Sequence, residues 1–115
     1  MACFNYEATS NHDYRVHGCT DAPSYGAGAT SIVFHMTLDA GNDQQNWQMD
    51  LQYWTGSTWS NVGAYTGYLT YSSPSTRSFS LSGKKAGSYR IRVTLRNEAN
   101  TLISVNQTSA FIVKR

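Results

Sequence analysis

The chain has 115 residues, a formal net charge of +2 and two cysteines. That length suits one domain with a real core, and only two prolines argue against a disordered chain. Apolar runs such as Ile32-Val33-Phe34 fall far short of the roughly 20 residues of a membrane-spanning helix, so no membrane insertion is expected. Met1-Ala2-Cys3 carries no legible secretory signal.

In chain order, residues 2–7 read as an early strand or as an arm lying over the domain. Residues 14–17 read as the opening edge strand, and Pro23 to Gly28 as loop. Residues 1–29 are therefore set apart as an arm plus first edge strand, ahead of a body at 30–115, within a single domain overall. From Ser31 to Leu38 the side chains of Ile32, Phe34, Met36 and Leu38 share one face. Over 47–53 the inward set is Trp47, Met49, Leu51 and Tyr53, with Gln48, Asp50 and Gln52 outward. Over 89–95 it is Tyr89, Ile91, Val93 and Leu95, with Arg90, Arg92 and Thr94 outward. Such period-two alternation marks strands half buried in an antiparallel sandwich. Shorter strands are expected near 58–62, 68–71, 77–81, 101–105 and 110–114. Turn residues separate them at Thr55-Gly56-Ser57, between Asp39 and Asn46, from Ser82 to Gly87, and from Asn97 to Asn100. No helical periodicity, linker or repeat interrupts the run. The pattern predicts an all-β antiparallel sandwich of about seven or eight strands.

Charge is unevenly laid out. Residues 1–50 hold six acids and one base, 51–75 hold none, and 76–115 hold eight bases and one acid. Strands from the two halves can neutralise each other on folding. No basic run exceeds Lys84-Lys85, so nucleic acid is not expected as a partner.

Three features together resemble a known family. Trp47 stands near the start of the second long strand; a hairpin with two further tryptophans follows (Trp54 and Trp59, across Thr55-Gly56-Ser57-Thr58). Ala86-Gly87-Ser88-Tyr89-Arg90-Ile91-Arg92-Val93 then enters the penultimate long strand. This looks like the immunoglobulin-like and fibronectin type III-like modules of secreted bacterial proteins, over about residues 30–114. The resemblance implies that Trp47 is the core tryptophan and that 54–59 is the hairpin to the neighbouring strand. It also implies that Tyr89 is a corner tyrosine with buried ring and hydroxyl bonded to backbone. The inter-sheet disulfide of antibody-type domains is missing, because no cysteine lies in the corresponding strands.

Cys3 and Cys19 instead fall in the first 29 residues. An even count in a small Tyr/Ser/Thr-rich β domain reads as an extracellular disulfide, with two free thiols in a reducing compartment as the alternative. A bridge would close a loop of about 15 residues, worth about 3 kcal/mol by the chain-entropy model. His12 and His17 with the two cysteines lack the paired Cys-x₂₋₄-Cys knuckle of zinc sites. Asp39, Asn42 and Asp43 lack the bidentate carboxylates of calcium loops. No metal and no cofactor are therefore expected.

Catalytic patterns are missing too: no Gly-x-Ser-x-Gly elbow, phosphate-cradling loop or His-Glu-x-x-His is present. His35 reads as a face-pointing strand residue. Asp50 and Glu98 can be imagined as a glycosidase pair, since those enzymes need two carboxylates, but Asp50 shares its predicted face with Arg90 and Arg92, where a cross-strand ion pair is the simpler role. Asn106-Gln107-Thr108 matches a glycosylation sequon, informative only in a secretory host.

The uncharged stretch 53–71, with Tyr53, Trp54, Trp59, Tyr65, Tyr68 and Tyr71, is the suggestive one. Outward tryptophans can stack on sugar rings or anchor a protein; equally, they can cover the sandwich rim. The expectation is a non-catalytic, secreted binding or accessory module, monomeric or weakly self-associating. Trp54 and Trp59 would contact a polysaccharide or cell-surface protein, with Gln52 and Arg92 as polar support. The alternative is a structural spacer or assembly domain of a surface or phage tail protein.

Overall fold

The computed structural model describes residues 1–7, 15–38, 44–70 and 73–115. Among these lie nine strands: β1 (Cys3–Glu7), β2 (Arg15–Thr20), β3 (Ser31–Leu38), β4 (Gln45–Trp54), β5 (Trp59–Leu69), β6 (Ser75–Ser80), β7 (Gly87–Arg96), β8 (Leu102–Gln107) and β9 (Phe111–Val113). One sheet runs β1-β2-β3-β6 and the other β5-β4-β7-β8, with β9 also paired to β7. Every strand pair is antiparallel. This is the sandwich that the alternation predicts.

The inward faces meet as expected. Ile32, Phe34, Met36 and Leu38 of β3 are buried against Trp47, Met49 and Leu51 of β4 and Tyr89, Ile91, Val93 and Leu95 of β7. Tyr53 is only half-buried, its ring 5.1 Å from that of Tyr89. The Tyr89 hydroxyl donates to the Lys85 carbonyl at 2.6 Å, which makes it the corner tyrosine. Trp47 stands directly across from Gly67 in the β4–β5 register. A β-carbon there would lie 2.6 Å from the indole, so only glycine accommodates the ring. The indole Nε1 donates to Ser75 Oγ at 3.1 Å, and that hydroxyl in turn donates to the Tyr68 carbonyl.

Several expectations need correcting. Among the described residues the strands number nine, against the about seven or eight expected. The strand expected near 58–62 and the start of the one expected near 68–71 belong to one strand, because Gly63 and Gly67 continue β5 beneath Phe79 and Trp47 instead of breaking it. A bulge opposite Leu51 and Gln52 absorbs the extra residue. Residues 3–7 are the edge strand rather than an overlying arm, and β2 is interior, between β1 and β3. Phe4 and Val16 are buried in the common core. The disulfide joins Cys3 to Cys19, which face each other directly in the β1–β2 register.

The turns obey their chemistry. Gly56, Gly83 and Gly87 take positive φ, as does Asn100 at 65° in the β7–β8 turn. There Asn97 Oδ1 accepts from the Thr101 N–H. Between β8 and β9, Thr108 is buried. Its hydroxyl accepts from the Ile91 N–H at 3.0 Å and donates to the Ser109 carbonyl, while its own N–H bonds Ile91 O. Near the chain ends, Tyr25 bridges to Val113 and its hydroxyl donates to Asp21.

Two predictions follow from this packing. Gly67→Ala forces the Trp47 indole aside. Overpacking of this kind costs about 1–3 kcal/mol, which outweighs the backbone gain of about 0.5–1 kcal/mol for leaving glycine. Chemical denaturation should therefore show a net loss of stability. The second concerns alkali. Burial, then the Asp21 hydrogen bond, raises Tyr25 above the ordinary tyrosine range; burial, then Tyr53, raises Tyr89. Their unfolded forms ionise near pH ~10, so this contribution is complete below that pH and is lost as pH climbs through the raised folded values. The denaturation midpoint should be flat to about pH 9.5 and fall above about pH 10. In Tyr25→Phe that fall should be shallower, and an equally steep fall would refute the assignment.

Candidate functional site

The outer face of the five-stranded sheet carries the residues singled out from sequence. Alternation places Gln48, Asp50, Gln52 and Trp54 of β4 on this face, beside Arg90 and Arg92 of β7 and Trp59 of β5. Asp50 and Arg92 are register partners, and Arg92 Nη2 donates to Asp50 Oδ2 at 3.1 Å. The ion pair expected between the acidic and basic halves therefore forms. Asp50 is fully buried, and Gln48 Nε2 supplies its second oxygen with a donor at 3.1 Å. Arg92 Nε, also buried, has no partner among the described residues.

Gln52 does not stand free to greet a ligand. It is 3% exposed, its Oε1 accepts from Arg90 Nε at 2.7 Å, and its Nε2 donates to Asn61 Oδ1 at 2.9 Å. The Arg90 guanidinium lies over Trp59 at 4.4 Å, a cation–π contact. Burial and then Arg92 pull the Arg90 guanidinium below its ordinary value. Trp54 tilts against Trp59 at 5.3 Å between centroids and is 39% exposed. The structure thus brings Trp54, Trp59, Gln52 and Arg92 onto one face, with Trp54 outermost and Gln52 and Arg92 acting beneath as props for Arg90 and Asp50.

Beside this hairpin, at the sandwich end, lies an open pocket of about 370 Å³ lined by Tyr53, Thr55, Val62, Lys84, Lys85 and Tyr89 among others. Sequence reasoning passed over it because its walls come from the β4–β5 hairpin and the distant β6–β7 turn. The two lysines within a glycine-bounded turn were the available signal. Asn61 was missed as well; only the bulge sets it against Gln52.

Of the other candidates, Glu98 sits exposed in the β7–β8 turn, while Asp50 is consumed by Arg92. His35 faces out on β3, its Nδ1 2.5 Å from Thr76 Oγ1. His12, Tyr14, Asp39, Asn42, Asp43 and Tyr71 lie outside the described residues. No helix among the described residues is long and apolar enough to cross a membrane.

The Asp50–Arg92 pair generates a test. Arg92→Ala leaves a buried carboxylate with Gln48 as its remaining side-chain donor. Breaking a buried pair costs about 3–5 kcal/mol; with the Arg92 side chain 34% exposed, solvent screening reduces the expected loss to about 2–3 kcal/mol. Asp50→Ala/Arg92→Ala should cost less than the sum of the single changes in a denaturation cycle. Additive losses would show that the pair is not coupled.

Comparison with known proteins adds two findings. A family model described as the YqgA MG2 macroglobulin domain matches residues 2–114. Among solved structures, the CARDB domain of a protein from Pyrococcus furiosus, crystallised in complex with di-metal ions, is similar. Its TM-score is 0.52 at 17% identity, covering 94% of each chain, a likeness of fold and an immunoglobulin-like one. No curated protein sequence matches.

Proposed function

Because the chain belongs to the YqgA MG2 macroglobulin domain family, we propose that it is a non-catalytic accessory module of a secreted protein, holding an anionic polysaccharide at its β4–β5 hairpin end. The observation that carries this reading is the exposed Trp54 ring, braced by Trp59, which is itself stacked under Arg90. A rigid aromatic surface offers a sugar ring a stacking partner at low entropic cost. Lys84 and Lys85 in the adjoining pocket, with Arg90, leave this end positively charged. The stretch 51–75 contributes no acid to oppose them. That charge balance favours a glycan bearing carboxylates or phosphates. The Cys3–Cys19 bridge supports an extracellular setting, where such cross-links persist.

A second reading rests on β5. It is an edge strand of 11 residues without a single charge, and it lacks the lysines and prolines that normally blunt such edges. A spacer that assembles through this edge would need no ligand.

Titration with anionic and neutral polysaccharides, followed by tryptophan fluorescence, separates the readings. Trp54→Ala should weaken binding about tenfold without shifting the melting temperature, and binding should weaken with salt as Debye screening sets in. Silence towards every glycan, together with concentration-dependent self-association in light scattering, would replace the first reading with the second.

A further inference from the structure

The outer face of the other sheet holds a second constellation. In the β1-β2-β3 register Cys3 faces Cys19, Cys19 faces His35, and Asn5 faces His17. Cys3 Sγ, His17 Nε2 and Cys19 Sγ lie within 4.8 Å of one another, with His17 Nε2 3.2 Å from Cys19 Sγ. His17 Nδ1 lies 3.2 Å from Asn5 Oδ1. An amide oxygen only accepts, so Nδ1 carries the proton and Nε2 presents its lone pair. That lone pair is aimed at a disulfide sulfur, which has no proton to offer. All three residues are half-buried, and His17 and Cys19 line an open pocket of about 300 Å³ with Asp21, His35 and Thr37.

We propose that Cys3, His17 and Cys19 form a redox-gated site for a thiophilic divalent ion of the zinc type. With the disulfide closed, the sulfurs are poor ligands. A dithiol reductant opens the site: one of its thiolates attacks a sulfur of the bridge, and the S–S bond breaks. The mixed disulfide resolves with the second thiolate, leaving two protein thiols and an oxidised dithiol. Two electrons and two protons are transferred. Zinc then takes both sulfurs as thiolates, releasing the two protons, and takes His17 Nε2 as its third ligand. Bonds of about 2.3 Å to sulfur and about 2.0 Å to nitrogen place S and N about 3.5 Å apart around a tetrahedral ion. The observed 3.2 Å between Cys19 Sγ and His17 Nε2 nearly meets that spacing, and the freed sulfurs separate by side-chain rotation. Asn5 fixes the tautomer, as outer-shell partners of metal-bound histidines do. The fourth position opens to the pocket and water.

The spacing rule that argued against zinc expects two cysteines in one knuckle. Here adjacent strands deliver them instead, from positions 16 residues apart.

The test uses the whole chain, reduced with a phosphine under nitrogen and titrated with Zn²⁺, with Co²⁺ as the spectroscopic probe. The reduced protein should bind one ion, with thiolate-to-cobalt charge-transfer absorption, and the oxidised protein should not. His17→Ala should weaken binding at least tenfold, and Asn5→Ala by about tenfold. Near-ultraviolet circular dichroism checks that each reduced protein stays folded. Uptake unchanged by His17→Ala would overturn the proposal, since an unfolded thiol pair binds metal without that histidine. Absence of uptake by the folded, reduced chain would overturn it as well, as would unfolding on reduction alone.

Discussion

The Trp47 indole is the contact on which the sandwich turns. It occupies the space that a side chain at position 67 would need, so β4 and β5 have one register in which the ring fits. Its N–H reaches Ser75 on β6 in the opposite sheet, and Ser75 hands the hydrogen bond back to Tyr68 on β5. Arg77 covers the ring at 5.0 Å. One side chain thus sets a strand pairing within one sheet and ties that sheet to the other. A one-residue slip would turn the β5 pattern over and confront the indole with a side chain. In antibody-type domains a disulfide spans the sheets at this level; here a buried ring and two short hydrogen-bond links hold them.

Much of this architecture was legible in the sequence because alternation reports burial directly. Ile32 to Leu38, Trp47 to Leu51 and Tyr89 to Leu95 each show one face to the core, and the structure buries those faces. The Asp50–Arg92 pair was legible for a related reason, since both residues sit at outward positions of strands that neighbour each other in such folds. Continuity of β5 was hidden, because glycine reads as a break unless its partner is known. Gly67 makes sense only opposite Trp47, and that pairing is long-range. The edge strand β1 was ambiguous because Cys3 to Glu7 buries mainly Phe4 and depends on its neighbour. The cluster of Cys3, His17 and Cys19 was hidden more deeply, since it exists only once β1 and β2 pair.

The two outer faces of the sandwich are built differently. On the five-stranded sheet, Gln48, Asp50, Gln52, Arg90, Arg92 and Asn61 are linked to one another by side-chain hydrogen bonds. Such a network holds side chains in place, with the exposed Trp54 at its hairpin end. The four-stranded sheet instead presents the half-buried Cys3–Cys19 bridge and His17 beside the exposed His35 at an open pocket. Asn5 orients His17, whose other ring nitrogen is left facing the bridge. Rigid display suits contact without reaction, while unspent ligating atoms suit chemistry that depends on conditions.

Thr108 carries a consequence of another kind. As the third residue of the sequon at Asn106, it would have to show its hydroxyl to a glycosylating enzyme. In the folded chain that hydroxyl is buried, standing in for a ladder acceptor at Ile91 while donating to Ser109. The sequon and the closed sandwich therefore compete for the same atom. In a host that glycosylates, order of events would decide the outcome: a sugar attached to the nascent chain precedes closure of β7 onto its neighbours, and a chain that has already folded no longer offers the motif.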